Sequence, residues 1–125
     1  MKTISTNSAP AAIGPYSQAV IIDGFLFASG QIPLSPETGE VVSGGIKEQT
    51  EQVMQNIAAV LIAAESDFTK VVKTTCFLTS MEHFTAFNEI YARYFTGKPA
   101  RSCVAVSALP RGVLVEVEVI AKVSG

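Results

Sequence analysis

Histidine and cysteine are scarce in this sequence, and their scarcity removes the usual ligands of a zinc site. There is one histidine, His83, and there are two cysteines, Cys76 and Cys103. Neither cysteine stands in a CxxC spacing or near a histidine, so no metal is expected, and both read as free thiols in a reducing, cytoplasmic setting. Charge is short as well: charged residues make up 16% of the chain, against a usual share of about a quarter. The nine lysines and arginines are scattered without a run or stripe, and the net charge is −2, which argues against a chain built to hold phosphate backbones. Long apolar runs are also lacking. Stretches such as 57–64 fall far short of a membrane span, and the N-terminus has neither the charged head nor the apolar core of a signal peptide. With no repeats, low-complexity tracts or internal linkers, residues 1–125 read as one domain.

What the chain does have is apolar surface, 48% of its residues being hydrophobic. So few charges cannot clothe a lone globule, and part of the surface is expected to be buried against other copies of the chain.

Periodicity gives the elements. Lys2 to Ser5 is predicted as a short edge strand, and the segment 9–16, with two prolines and a glycine, as an irregular loop ending on Tyr16. Ser17 to Ile22 and Phe25 to Ser29 flank Asp23-Gly24, the strongest short hairpin signal. Residues 46–64 carry Ile46, Val53, Ile57, Val60, Leu61 and Ala64 on one side of a helix, with Lys47, Glu48, Glu51, Gln52, Gln55 and Asn56 on the other. Val71 to Leu78 is β-branched or apolar on both faces and is predicted as an interior strand covered on both sides. Thr79 with Glu82 three residues on matches a capping box opening a helix to about Phe95. Its aromatic set, Phe84, Phe87, Tyr91, Tyr94 and Phe95, reads first as a core face, with Asn88 as the polar residue along it. The last two strands are predicted as a hairpin across Leu109-Pro110-Arg111-Gly112, and on the second of them Glu116 and Glu118 project the same way. The sum is an α+β domain with two helices on one face of a six-stranded sheet. The open face is expected to carry small and apolar residues such as Ala19, Ala105 and Ser107, which stacking of subunits would dry.

The stretch from Lys98 to Val106 holds the chemistry. Pro99 cannot continue a helix, so Arg101 sits where a loop feeds a strand, and Arg101 and Cys103 share a face. Two residues along a strand span about 6.5 to 7 Å, so a guanidinium and a thiol can border one pocket suited to a small carboxylate.

Five blocks, in order, carry a resemblance: residues 11–18 (AAIGPYSQ), Ser29-Gly30-Gln31-Ile32-Pro33, Asn88 followed by Tyr91, residues 99–104 (PARSCV), and Val115-Glu116-Val117-Glu118. Together, and almost end to end, they resemble the RidA/YjgF family of reactive-intermediate deaminases. The resemblance implies a chorismate-mutase-like α+β fold, a homotrimer whose sheets form a central barrel, and sites in the clefts between subunits. It implies hydrolysis of 2-iminopropanoate and 2-iminobutanoate, released by pyridoxal-phosphate dehydratases, to 2-oxoacids and ammonia, without cofactor or metal. By block matching, the carboxylate-binding arginine falls on Arg101, the water-orienting glutamate on Glu116 and the pocket tyrosine on Tyr16, with Gly30, Asn88 and Cys103 lining the pocket. Two departures stand out. The segment between Phe95 and Pro99 is shorter than in many members, and Ala105 and Ala108 replace a glutamate and an arginine often found near the trimer interface.

The chemistry fits these residue types. A 2-imino acid offers a planar carboxylate beside an electrophilic C=N; arginine's fork matches the carboxylate, and a carboxyl group can hold the attacking water and relay its proton. Each assignment has a plain structural alternative: Arg101 as an ion-pair partner, Glu116 with Glu118 as a solvated strand face, Tyr16 as a plug for its loop. Cys103, with no base beside it, is read as a pocket wall and not a nucleophile. Two other functions stay open, an endoribonuclease or translation-inhibitor activity, which the acidity disfavours, and a non-catalytic module that binds 2-oxoacids.

Overall fold

A computed structural model describes residues 1–123. The chain runs β1 (Lys2–Ile4), β2 (Ala19–Ile22), β3 (Phe25–Ala28), α1 (Ile46–Ala63), β4 (Val71–Leu78), α2 (Phe84–Tyr94), β5 (Ala100–Ala105) and β6 (Val115–Lys122). The six strands form one open mixed sheet in the order β1-β2-β3-β6-β4-β5. Both helices bury their apolar faces on one side of it, in a single core. The α+β, chorismate-mutase-like arrangement expected from the sequence is the one observed.

The β2–β3 hairpin closes as its turn residues dictate. Asp23 and Gly24 both adopt positive φ, 52° and 80°, the pair of left-handed conformations that matches the twist of the flanking strands. Helix α1 buries Val53, Met54, Ile57, Val60 and Leu61, and α2 adds Phe87, Ile90 and Tyr91.

Several expectations need correction. Asn56 is not on the solvent side of α1 but fully buried. Its amide donates to the carbonyls of Ile32 (3.1 Å) and Leu34 (3.0 Å) and accepts from Gln52, so a polar side chain on the inner face anchors the loop before the helix. Thr79 is not the cap ahead of α2; Ser80 accepts from the Glu82 amide, and a 3₁₀ turn at Met81–His83 precedes the helix. The last two strands do not form a hairpin. β5 pairs parallel with β4, making β4–α2–β5 a crossover unit, and β6 inserts antiparallel between β3 and β4. The physical reason lies in composition: alternate valines of β6 are fully buried and need a central place under the helices, whereas Ala100 to Ala105 is small and polar enough for an edge.

The open face also differs from expectation. Ala19 is buried on the helix side, and Ala105, paired with Leu78, shares that side. The uncovered face instead carries Val20, Phe27 and Ile120 in one cross-strand row, together with Ile22, Phe25 and Val104. Phe25 and Phe27 are 39% and 42% exposed, a large loss for two phenyl rings at about 25 cal/mol per Å². β4 is interior, as predicted, but in the single chain the helices cover only one of its faces.

Candidate active site

Arg101 enters from the start of β5 on the helix-covered face, paired with Thr74 of β4. Residues 84, 88 and 91 of α2 lie one turn apart on one helical stripe, and all three meet its guanidinium. Nη1 donates to Asn88 Oδ1 at 2.6 Å. The guanidinium carbon stands 4.7 Å from the centre of the Tyr91 ring and 5.5 Å from that of Phe84, a cation–π arrangement that holds a cation without neutralising it. Tyr91 is fixed in turn by a 2.8 Å hydrogen bond between its hydroxyl and Thr74 Oγ1. Among the described residues no carboxylate pairs with Arg101, so a full positive charge faces a cleft bounded by α2, Pro99 and Lys98.

Cys103 follows Arg101 on the same face, with Cys76 beside it across the ladder. Burial pushes the Cys103 thiol up from its ordinary value, only partly opposed by Arg101, and burial pushes Cys76 up to about 12. Both stay protonated near neutrality, which suits wall residues and not nucleophiles.

The remaining candidates collect elsewhere. Between the pairs Phe27–Ile120 and Gln31–Val117, three residues of one strand oppose two of the other, a β-bulge that places Gly30 against Glu116. A Cβ added to Gly30 would lie 2.8 Å from Glu116 Cδ and drive into the carboxylate oxygen. Glu116 is half-buried there, and burial first, then the neighbouring Glu118 charge, raises its carboxyl above the ordinary value. Tyr16, exposed at the end of the 9–16 loop, forms with Ser29, Gly30 and Gln31 a second cup. Its approach is set by Gln18, which is buried and bonded to Thr6, Ala9 and Pro10 backbone.

Within one chain these two clusters do not meet. Arg101 pairs with Thr74 and Glu116 with Phe77, three residues apart on β4 and therefore on opposite faces of the sheet.

Comparison with known proteins agrees with the fold and the motifs. A family model described as endoribonuclease L-PSP matches residues 6–123. The chain belongs to the YjgF/RidA family. It is 58% identical over 124 residues to a candidate regulator, AldR, of Lactococcus lactis, covering 98% of each. It is 52% identical over 121 residues to the mouse 2-iminobutanoate/2-iminopropanoate deaminase, covering 96% of this chain and 90% of that one. The crystal structure of a candidate endoribonuclease from Thermotoga maritima superposes with a TM-score of 0.96 at 52% identity, covering 100% and 99%. Names within the RidA family are thus mixed, and the geometry has to choose among them.

In this RidA-family chain the sequence gathers Arg101, Asn88, Cys103, Tyr16, Gly30 and Glu116 into one candidate pocket, whereas within one chain the structure divides them, Arg101 and Glu116 falling on opposite faces of the sheet; what holds each group was not foreseen. Phe84 and Tyr91 were assigned to the core; the 84/88/91 spacing was the signal that they also flank an arginine. Gln18 and Asn56 left no such signal, since a buried amide looks like any other in a sequence. The Gly30 contact yields a prediction. Because Gly30 does not sit at positive φ, Gly30→Ala adds no backbone strain, and the flexible Glu116 carboxylate is what must move. Displacements of about 1 Å at a reacting group cost as much as 10²-fold; Gly30→Ala is expected to cut kcat at least about tenfold with little change in melting temperature. An unaltered kcat would show that Glu116 does not act from this position.

Proposed function

We propose that the protein is a 2-imino acid deaminase, hydrolysing 2-iminopropanoate and 2-iminobutanoate to 2-oxoacids and ammonia. The observation that carries the reading is Arg101: a cation held by an amide oxygen and two ring faces at the wall of a cleft, with no carboxylate partner among the described residues. Such a group is built to receive an anion of planar shape. In the proposed reaction the substrate carboxylate lies on Arg101 and water, held by Glu116, adds to the imine carbon. Glu116 takes a proton from that water and passes it to nitrogen, giving the carbinolamine; it then takes the hydroxyl proton and delivers it to the same nitrogen as the C–N bond breaks and the C=O forms, releasing ammonia and the 2-oxoacid. A carboxyl whose proton affinity is raised by burial is suited to this shuttling near neutrality.

Because Arg101 and Glu116 lie on opposite faces of one sheet, the reading requires a second copy to bring a Glu116 to each Arg101. The uncovered apolar row of Val20, Phe27 and Ile120 supports association of that kind, and we propose the trimer that the sequence resemblance implies.

The test is a dehydratase-coupled assay in which serine- and threonine-derived imines are generated in situ. Ammonia should appear faster than by spontaneous hydrolysis, and light scattering should report a particle three times the 13.2 kDa chain mass. A stable monomer with full activity overturns the shared site. Binding of 2-oxobutanoate without any acceleration of imine hydrolysis overturns the enzyme in favour of a sensor.

A further inference from the structure

The cleft beside Arg101 contains a second cation. Lys98 stands on its rim, on the short segment between α2 and β5. Its backbone is pinned: φ is 52°, in the left-handed region, and its amide donates to the Phe95 carbonyl at 3.2 Å, so the point from which the side chain leaves is fixed. Tyr91, Ala92, Phe95 and Pro99 give the cleft apolar wall, with Asn88 and Thr96 as its neutral polar members. Within one chain no acidic residue lines the cleft, and among the described residues neither Arg101 nor Lys98 makes an ion pair. In a chain whose net charge is −2, one chain's own contribution to the cleft, two positive charges and no negative one, is a local reversal of sign. A monocarboxylate would answer only one of the two.

We propose that this cleft selects 2-imino dicarboxylates: Arg101 takes the carboxylate next to the imine, the apolar walls carry the intervening methylene groups, and Lys98 receives the distal carboxylate. The two cations suit their tasks. The planar fork fixes the reacting end, where orientation matters, and the ammonium on a flexible stem tolerates a terminal carboxylate at varied reach. Paired positive charges with low-dielectric walls also concentrate dianions at the mouth. This inference rests on the deaminase reading and extends it from the short monocarboxylate imines to those with a distal carboxylate.

The experiment compares two imines made in situ by amino-acid oxidases, 2-iminoglutarate from glutamate and 2-iminobutanoate from 2-aminobutanoate, and reads the ratio of their kcat/KM. Wild type is expected to handle 2-iminoglutarate at least as well as 2-iminobutanoate. One rim ion pair carries at most about a fivefold effect, so Lys98→Gln should lower the ratio about two- to fivefold; Lys98→Glu, which adds repulsion, should lower it further. Added salt should depress the wild-type ratio and leave that of Lys98→Gln nearly level. In parallel, 2-oxoglutarate should raise the melting temperature of wild type more than that of Lys98→Gln. Acceleration of 2-iminobutanoate hydrolysis alone, or a ratio that is the same in wild type and Lys98→Gln, overturns the dicarboxylate assignment and spares the deaminase. Failure to accelerate either imine overturns both.

Discussion

Arg101→Ala is expected to lower kcat/KM toward 2-iminobutanoate by roughly 30-fold to several thousand-fold. A sheltered, charge-assisted contact to a carboxylate is worth on the order of 2 to 5 kcal/mol when one partner is removed, at about 1.4 kcal/mol per tenfold. The structure adds a reason for the loss to be large. Asn88, Phe84 and Tyr91 hold the guanidinium in place before any ligand arrives, so little ordering has to be done on binding. Arg101→Lys keeps a charge between the rings but neither reaches Asn88 in the same plane nor offers two parallel donors, and should recover only part of the loss. Ligand protection separates binding from folding: 2-oxobutanoate should raise the melting temperature of wild type and not that of Arg101→Ala, since a ligand stabilises only what it binds. A folded Arg101→Ala protein with near wild-type turnover, still protected by the oxoacid, would end the carboxylate-clamp assignment.

Glu116→Gln should reduce kcat by about 10²- to 10⁴-fold while oxoacid binding largely survives, because the amide keeps the shape and cannot carry a proton. Glu118→Gln should be milder in rate and distinct in pH dependence. The Glu118 charge is one of the two causes that hold the proton on Glu116, so removing it should shift the acid limb of the kcat/KM profile to lower pH. Stability should move the other way from activity. A carboxyl raised on folding favours the folded state fully only below its unfolded value and gives up that contribution as pH rises toward its folded value. Glu116→Gln is therefore expected to melt higher than wild type at neutral pH, with the difference vanishing below about pH 4.5. Equal kinetic losses in the two variants, or the larger loss in Glu118→Gln, would remove Glu116 from the water-holding role.

Local rules were legible wherever a residue acts through its own backbone. Asp23-Gly24 announced its turn, Pro99 the end of α2's extension, and the alternation at 115–119 the separation of Val from Glu. The same rules failed where pairing is decided by distant partners. Leu109-Pro110-Arg111-Gly112 has the composition of a hairpin turn, yet Arg111 and Gly112 adopt positive φ in a connection between strands that never touch. The competing term was burial of the β6 valines, which only a central position can supply. Asn56 was misread for a related reason: a helical period assigns polarity to the solvent side, and it carries no information about two loop carbonyls that need donors. The candidate site residues were named as one set through their motifs, while their division between two faces of the sheet depends on strand order, which periodicity cannot supply.

The central place of β6 also bears on how the chain folds. Its ladder joins Phe25 to Lys122 and Leu78 to Val115, so about three quarters of the sequence lies between the partners of its outer pairing. The β1–β3 meander and the β4–α2–β5 crossover can each begin from neighbouring residues, but the sheet that unites them is completed only by the last strand in sequence order. Closing such a loop costs entropy before any contact rewards it, and topologies weighted toward distant pairing fold slowly. During synthesis, both ladder edges that β6 will fill, and the apolar row beside them, stay open until residues 115–122 are made. The interval before that strand arrives is when the chain is most exposed to wrong partners.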